Sequence, residues 1–556
     1  MSDGEAALDV EGAAGLSVFG ADAVPGAPQA RAELVADGVP GLLAAKDPTL
    51  WGEGAEAEAK IRLGWVDTFR RSRALLPQLA ELTTELADLD HVVLAGMGGS
   101  SLAPEVISHT LGRRLTVLDT TDPQQVRAAL ADRLERTVVV VSSKSGSTVE
   151  TDSHRRAYWQ AFLDAGLTEA EAARHFVVVT DPGSPLEATA REMGSVVMLA
   201  DPEVGGRYSA LTAFGLVPTA LAGVDVAELL DQAEAIAPAL ARETDNPGLA
   251  LGAALGAAAL AGRDNLALVE DGTGIVGLGD WAEQLIAEST GKQGTGILPV
   301  VVEEPTSPGA TGPGVLTVTV GGALPPGGVP GSGLVPDLAV NGPLGAQFLV
   351  WEYATAIAGR LLRFNPFDQP NVAESKENTA KILQSGLPDD RPSFVEGAVE
   401  VYGAGDATSV RAALRDLMST VEPGGYLAVM AYLDRIAEVS AGALRALLAA
   451  QTDRAVTFGW GPRFLHSTGQ YHKGGPARGS FLQITGAVTD DLAVPGRPYT
   501  FGQLQAAQAA GDRQALAGRG RPLLRLHLTD RAAGVAQVLG AAEDLGDRPA
   551  EPDVSG

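Results

Sequence analysis

The feature that most constrains the fold is a series of short apolar runs, each separated from the next by a longer stretch of helical character. Five of these runs lie in the first half of the chain, at His91–Ala95, Leu115–Leu118, Thr137–Val141, Phe176–Thr180 and Ser195–Leu199. Uninterrupted runs of this length are typical of strands that are covered on both faces. The pattern therefore predicts an α/β fold, in which helices cover both sides of a parallel sheet.

A second series of apolar runs follows an Ala-rich segment, Leu249–Ala261, and predicts a second α/β unit. Its runs are Asn265–Val269, Gly296–Val302, Leu316–Val320, Tyr426–Met430, Ala455–Phe458 and Phe481–Thr485. We therefore expect two doubly wound parallel-sheet domains with three αβα layers, at residues 61–235 and 236–490. Residues 1–60 and 491–556 are expected to be terminal extensions, the first of them acidic and helical.

Charge and composition exclude several classes of protein. The 41 basic and 69 acidic side chains give a net charge of −28, which argues against binding to nucleic acid or to an anionic membrane, because both need a basic face. The longest uncharged Ala/Leu run, Pro247–Gly262, is shorter than the roughly 20 residues that cross a bilayer. The chain has no cysteine, and its seven histidines show no metal-binding spacing, so no metal is expected. The acidic start of the chain favours a cytoplasmic location.

The first candidate site is the glycine turn Gly96–Pro104, which follows the run His91–Ala95 directly. A glycine turn that leads into a helix exposes backbone N–H groups to a phosphate. Ser101 replaces the third glycine of a dinucleotide fingerprint, although Asp119 stands at a suitable distance for a ribose hydroxyl. This motif alone leaves NAD, another phosphate and a purely structural turn open.

The second candidate is the segment Ser142–Thr151, which follows the run Thr137–Val141. It contains five short hydroxyl side chains and a lysine in nine residues, at Ser143, Lys144, Ser145, Ser147, Thr148 and Thr151. Hydroxyl and amide groups at a strand-to-helix turn can donate together to one phosphoryl group. The segment lacks the spacing of a P-loop, so nucleotide hydrolysis is not expected.

Two further segments combine polar residues with helix signals. In Trp281–Lys292, Gln284 and Glu288 share one helix face, and the glutamate lies in the last turn, where the helix dipole raises its proton affinity. In Asn365–Lys376, Pro370 starts a helix that places Gln369 and Lys376 one above the other. Taken singly, each segment is also consistent with an ordinary solvated helix.

Together these segments resemble the glucose-6-phosphate isomerase family, also called phosphoglucose isomerase. The matching blocks are Gly96–Pro104, Ser142–Thr151, Gly205–Ser209, Gln284–Lys292 and Phe367–Lys376. The resemblance covers roughly residues 60 to 490 and is closest to the form that is fused behind a transaldolase in some chains. It implies two sugar-isomerase-type domains and the reversible conversion of glucose 6-phosphate to fructose 6-phosphate, without a cofactor.

The resemblance also implies a role for each matching residue. Glu288 is the expected base, Arg207 the cation beside the cis-enediol(ate), and Lys376 a helper in ring opening. Glu150 and Gly206 are expected to support these groups. The expected substrate contacts are Gly99, Ser100, Ser143, Lys144, Ser145, Thr148, Thr151, Gln284 and Gln369.

One departure from the family concerns its ring-opening histidine, which normally lies between the glutamate and the lysine. Here the similar turn His466–Gln470 comes after Lys376, and we expect His466 to take the role. In the family this histidine comes from a neighbouring subunit, so the resemblance implies a homodimer.

Three alternatives remain at the level of the sequence. The chain could be a non-catalytic sugar-phosphate sensor on the same domains, or an NAD-dependent dehydrogenase that uses Gly96–Ser101 and Asp119. A phosphoglucose isomerase that also accepts mannose 6-phosphate is equally compatible with these residues.

Overall fold

The structure, a computed structural model, describes residues 10–325, 328, 330 and 336–546. In these residues the strands form three sheets, one of five strands and two of six, where the sequence predicts two. Residues 236–490, expected to contribute to one sheet, contribute strands to both six-stranded sheets. The α/β class with parallel sheets is confirmed, because the five-stranded sheet is parallel throughout and the core pairings of the other two are parallel.

The N-terminal segment forms two short strands and five helices. They are β1 (Val10–Ala13), β2 (Leu16–Phe19), α1 (Ala27–Ala36), α2 (Val39–Ala44), α3 (Glu53–Ala59), α4 (Thr68–Arg71) and α5 (Leu76–Glu85). β2 pairs antiparallel with Leu338–Asn341, and Leu16 and Val18 are fully buried. The described part of residues 1–60 therefore belongs to the second sheet, although two alternating apolar residues are too weak a signal to predict this.

The first sheet contains all five strands that the sequence predicts in this region. In chain order its elements are β3 (His91–Gly96), α6 (Leu102–Thr110), β4 (Thr116–Leu118), α7 (Pro123–Ala131), β5 (Thr137–Ser142), α8 (Val149–Asp164), α9 (Glu169–Arg174), β6 (Phe176–Thr180), α10 (Pro185–Met193) and β7 (Val196–Leu199). The strand order is β4-β3-β5-β6-β7. β3 pairs with β5 in a register that places Gly96 opposite Ser142, so the glycine turn and the hydroxyl-rich segment emerge side by side.

The second sheet has the order β1-β2-β11-β10-β8-β9. The elements that follow β7 are α11 (Ala213–Leu221), α12 (Val226–Leu240), α13 (Pro247–Leu260), β8 (Asn265–Glu270), α14 (Leu278–Thr290), β9 (Leu298–Val302), β10 (Val315–Gly321), β11 (Leu338–Asn341) and α15 (Leu344–Leu362). α13 packs against α15 at close range, and a Cβ on Gly252 would lie 2.8 Å from the carbonyl oxygen of Ala354. Small residues therefore allow these two helices to approach each other.

The third sheet has the order β12-β13-β17-β16-β14-β15. Its elements are α16 (Val372–Ser385), β12 (Phe394–Glu396), β13 (Val399–Tyr402), α17 (Val410–Ser419), β14 (Tyr426–Tyr432), α18 (Leu444–Ala449), β15 (Ala455–Trp460), α19 (Gly469–Gly474), β16 (Gly479–Gly486), α20 (Phe501–Ala517), β17 (Leu523–Leu528) and α21 (Arg531–Glu543). β17 lies between β13 and β16, and α20 packs along α16. The described part of residues 491–556 is thus an integral part of this sheet and its helical layer.

Two negative findings hold for the residues that the structure describes. None of their helices is both long and apolar enough to cross a bilayer. Nor do they bring three or more histidine, aspartate or glutamate side chains together in a way that could hold a metal ion.

Candidate active site

A cavity of about 580 Å³ lies at the carboxyl ends of β3 and β5. It is bordered by α14, by the start of α16 and by the turn that carries His466. The predicted site residues that line it are Gly99, Ser100, Ser143, Lys144, Ser145, Thr148, Gly206, Arg207, Gln284, Glu288, Gln369, Lys376 and His466. The structure therefore brings together residues that are up to 367 positions apart in the sequence (466 − 99 = 367).

The glycine turn approaches the loop that carries Arg207 so closely that side chains are excluded. A Cβ on Gly99 would lie 2.0 Å from the carbonyl oxygen of Gly206. Gly98 adopts a positive φ of 54°, and a Cβ there would lie 2.7 Å from Nε2 of Gln284. These glycines are needed because the backbone itself is the contact surface between the turn, the arginine loop and α14.

The hydroxyl-rich segment forms a compact turn before α8. The hydroxyl oxygens of Ser143 and Thr148 are 2.9 Å apart, and those of Ser145 and Ser147 are 3.0 Å apart. Since α8 begins at Val149, its first backbone N–H groups lie at this turn. Hydroxyl groups and the positive end of a helix are thus placed together beside the cavity, as an anion-binding turn requires.

Lys144 already has a carboxylate partner within this turn. Its Nζ donates to Oδ2 of Asp181 at 2.6 Å. Burial lowers the pKa of Lys144 and raises that of Asp181, and their mutual attraction opposes both shifts. The ammonium group has three donors, so the ion pair with Asp181 holds Lys144 beside the hydroxyl and amide groups and leaves it able to donate to an anion as well.

Thr151 does not share the position of the other hydroxyls. It lies in the first turn of α8, is almost fully buried and is not among the residues that line the cavity. Its hydroxyl has no hydrogen-bond partner among the described residues. The spacing of the sequence places Thr151 near the turn but does not indicate that the residue points away from the cavity.

Glu288 and Gln284 lie on one face of α14, as predicted, and both are almost fully buried. Nε2 of Gln284 is 3.4 Å from Oε2 of Glu288, and Oε1 of Gln284 has no partner among the described residues. Burial raises the pKa of Glu288 above its usual value, although Arg207 and His466 oppose the shift. A buried carboxylate with raised proton affinity is suited to act as a general base.

Arg207 is buried and is held mainly by neutral acceptors. Its guanidinium donates to Oγ of Ser289 at 2.8 Å, to Oε1 of Gln369 at 2.9 Å and to the carbonyl oxygens of Pro366 and Asp368. The carboxylate of Glu288 lies 3.6 Å from Nη1. The arginine is therefore fixed in position while much of its charge remains available to a substrate.

Lys292 supports the site from behind and is not among the predicted site residues. It is about 1 % exposed, and its Nζ donates to the carbonyl oxygens of Asn365 and Asp368 and to Oδ1 of Asp368. Burial is the main cause that lowers its pKa to about 8. Lys292 and Arg207 together hold the loop that carries Gln369; the only signal for this in the sequence is a lysine directly after the glycine that ends α14.

His466 enters the cavity from the same chain as Glu288. It lies in a short 3₁₀ helix after β15, and its Nε2 is 3.2 Å from Oε1 of Glu150. Burial alone would raise the pKa of Glu150, but the hydrogen bond and charge of His466, together with the charge of Lys376, lower it overall. Glu150, which is expected to support the reacting groups, lies in direct contact with the histidine.

Lys376 lies exposed on α16 and lines the cavity near His466 and Thr148. These three residues also line a smaller adjoining cavity of about 240 Å³, which reaches Glu150. Since one chain supplies His466, the geometry of the site does not require a neighbouring subunit to provide it.

Asp119, which the dehydrogenase hypothesis assigns to a ribose, is engaged elsewhere. It is about 1 % exposed, and its Oδ2 accepts from Nη1 of Arg463 at 2.8 Å. Nε of Arg435 lies 3.5 Å from its other oxygen. Two arginines thus occupy the carboxylate that a dinucleotide would need, and this hypothesis loses its acidic residue.

Part of the chain is similar in sequence to proteins of known family. Residues 83–295 match the family model for phosphoglucose isomerase. A probable glucose-6-phosphate isomerase of Haloarcula marismortui is 36 % identical over 222 residues, which are 38 % of this chain and 50 % of that protein. The glucose-6-phosphate isomerase of Acaryochloris marina is 35 % identical over 215 residues, 36 % of this chain and 40 % of that protein.

A solved structure supports the fold over a longer stretch. The crystal structure of a glucose-6-phosphate isomerase from Chlamydia trachomatis matches with a TM-score of 0.53 and 20 % identity, covering 68 % of this chain and 91 % of that one. The curated relatives above are matched over half of their own length or less.

The matched segment contains the glycine turn, the hydroxyl-rich turn, Arg207 and Glu288, whereas Gln369, Lys376 and His466 lie beyond it. The predicted resemblance is thus confirmed over the segment that contains Glu288 and Arg207. Over residues 83–295 this chain is similar to the phosphoglucose isomerase family.

Proposed function

We propose that this protein catalyses the reversible isomerisation of glucose 6-phosphate and fructose 6-phosphate. The observation that carries the proposal is the pairing of Glu288 with Arg207, whose charged groups lie 3.6 Å apart in a cavity that also contains the hydroxyl-rich turn. Aldose–ketose isomerisation needs a base for a carbon-bound proton and a fixed cation for the oxyanion that develops. It needs neither a metal nor a redox cofactor.

In the proposed reaction the sugar ring opens first. His466 donates to Glu150 through Nε2, which leaves Nδ1 as the ring nitrogen that can exchange a proton with the substrate. Ring opening takes a proton from the C1 hydroxyl and gives one to the ring oxygen. Lys376 lines the same part of the cavity and can assist this transfer.

Proton transfer between the carbons follows. Glu288 removes the proton from C2 of the open-chain aldose, and the electron pair of that C–H bond forms the cis-enediolate. Arg207 stabilises the negative charge on oxygen without moving, because four protein acceptors already fix its guanidinium. The hydroxyl proton moves from O2 to O1, and Glu288 returns its proton to C1 while the C2–O2 bond becomes the carbonyl, which gives the ketose.

The phosphate of the substrate supplies binding energy away from the reacting carbons. We assign it to the turn of Ser143, Ser145 and Thr148 at the start of α8. This local donor site allows an anion to bind even though the chain carries a net charge of −28.

The decisive test is Glu288→Gln in purified protein, with fructose 6-phosphate formation followed in a coupled assay. Removal of a general base is expected to lower kcat by about 10²- to 10⁴-fold and to leave binding of the sugar phosphate nearly unchanged. Asp280→Asn, on the same helix α14, is the matched control and should retain activity. Near-normal turnover of the Glu288→Gln protein would exclude Glu288 as the base.

The same assay separates the isomerase from a sugar-phosphate sensor, since a sensor would bind the substrate and form no product. Mannose 6-phosphate belongs in the assay as a second substrate, because it differs from glucose 6-phosphate only in the configuration at C2, the carbon from which Glu288 would remove the proton. The homodimer rests on the resemblance alone, and the cytoplasmic location rests on the expectation stated in the sequence analysis. Sedimentation of the purified chain and fractionation of its host would test them.

A further inference from the structure

A buried glutamine from the C-terminal part of the chain contacts the residue that holds His466. Gln508 lies on α20 and is about 2 % exposed. Its Nε2 donates to Oε1 of Glu150 at 2.7 Å, the same oxygen that lies 3.2 Å from Nε2 of His466. The histidine, the carboxylate and the amide therefore form one connected chain.

The orientation of the Gln508 amide is fixed from its other side. Its Oε1 accepts the hydroxyl of Thr121, which is fully buried, at 2.6 Å. A hydroxyl can donate to the amide oxygen, and an ionised carboxylate can only accept, so the NH₂ group must face Glu150. Only this orientation of the amide satisfies both neighbours.

A carboxylate held in this way controls the proton position on the imidazole. Glu150 accepts from Gln508 and from His466, and its lowered pKa keeps it ionised at neutral pH. An ionised acceptor beside Nε2 favours the tautomer that carries its proton there, and leaves Nδ1 free. Loss of the amide donor would leave a buried carboxylate under-satisfied and free to rotate away from the histidine.

We propose that Gln508, oriented by Thr121, is a positioning residue that fixes the tautomer of His466 through Glu150. This inference deepens the proposed function and rests on it, because it assigns a role in ring opening to a residue that touches no reacting atom. The proposal also assigns a role in ring opening to α20, because this helix supplies the amide of Gln508. The same helix packs along α16, which carries Lys376.

The test is Gln508→Leu, which keeps most of the volume of the side chain and removes the donor. Because a hydrogen bond to a charged group contributes more free energy than a neutral one, we expect Gln508→Leu to lower kcat by about 30-fold. We expect KM to change by less than about threefold. The matched control is Gln505→Leu, because Gln505 lies one turn earlier on α20, is equally buried and donates to Asp122 instead. This control should retain turnover.

A spectroscopic measurement reports the tautomer without any substrate. In protein with ¹⁵N-labelled histidine, the signals of His466 are assigned by their absence in His466→Gln and recorded at high pH, where neutral rings dominate. We expect a proton on Nε2 in the unchanged protein and in Gln505→Leu, and a mixture of tautomers in Gln508→Leu. An unchanged tautomer in Gln508→Leu, or equal losses of activity in the two leucine variants, would overturn the proposal.

Thr121→Val provides a second route if Gln508→Leu does not fold. It removes only the hydroxyl that orients the amide, and a smaller loss of kcat, about fivefold, with a partial shift of the tautomer is expected. An unchanged tautomer in this variant would count against the proposal. Because the tautomer is read without turnover, a protein that shows the shift but makes no fructose 6-phosphate would contradict the proposed function and leave the role of Gln508 intact.

Discussion

Arg207, which is buried, and Arg463, whose side chain is 11 % exposed, have opposite surroundings. The bonds of Arg207 go to neutral oxygens, and its nearest carboxylate lies 3.6 Å away. Arg463 contacts Glu105 at 2.6 Å and Asp119 at 2.8 Å. One guanidinium thus retains a charge that a substrate can use, whereas the charge of the other is compensated within the protein.

The carboxylates beside these arginines respond in opposite directions. Burial would raise the pKa of both, but Arg463 and Arg435 outweigh it at Glu105 and lower its pKa to about 2. At Glu288 burial prevails, and the pKa rises. The difference shows that the number and closeness of the cations, more than burial itself, separate a structural carboxylate from one that can accept a proton.

The largest effect should come from Arg207→Met. Loss of the fixed cation is expected to lower kcat by about 10³-fold, with a much smaller change in the free energy of unfolding, since the arginine mainly stabilises charge that develops during the reaction. Coupled-assay kinetics and urea unfolding of the same preparation measure both quantities. A variant that loses stability in proportion to its activity would remove the contrast between the two arginines.

Arg463→Met should show the reverse pattern. Glu105 and Asp119 would keep their burial and lose their closest cation, so the free energy of unfolding should fall by about 3 kcal/mol. The folded fraction should retain kcat within a few-fold, as measured at low denaturant. Unchanged stability would show that Arg435 alone can compensate both carboxylates.

The smallest effect is a difference in how stability depends on pH. The folded-state pKa of Glu105 is below its usual value, so its contribution is present above about pH 4.5 and is lost as the pH falls towards 2. The folded-state pKa of Glu288 is raised, so its ionisation costs stability as the pH rises above its usual value.

Thermal unfolding between pH 3 and pH 8 can measure this difference. The deficit of Glu105→Gln relative to the unchanged protein should shrink towards acid pH. Glu288→Gln should gain stability relative to the unchanged protein as the pH rises. If the stability difference from the unchanged protein depended on pH in the same way for both variants, the opposite pKa shifts of Glu105 and Glu288 would be contradicted.

Local signals predicted the first sheet and the turns at its edge. Runs such as Thr137–Val141 are apolar along their whole length, and the residues after them are necessarily at the carboxyl edge of a parallel sheet, where ligands bind. The third sheet was harder to predict. In β17 only every second residue is buried, and its neighbours β13 and β16 lie 121 and 37 residues earlier in the chain (523 − 402 = 121; 523 − 486 = 37).

The sequence was a better guide to which residues line the cavity than to the contacts that those residues make. The roles expected of Glu288 and Arg207 come from the resemblance of short motifs in the segment that the family model matches. The partners Lys292, Gln508 and Thr121 act through carbonyl and amide contacts between distant elements, and no spacing in the sequence reports such contacts. His466 could be assigned only from a similar turn in an unexpected place.

The central position of β17 has a consequence for the order in which the sheets of the protein can form during synthesis. During synthesis, β13, β14, β15 and β16 leave the ribosome before the strand that joins β13 to β16, and the helix that carries Gln508 emerges just ahead of that strand. The sheet behind His466 cannot close until residue 528 is available. A nascent chain can thus complete the five-stranded sheet early, whereas the sheet behind His466 is completed only by a strand that begins 57 residues after the histidine (523 − 466 = 57).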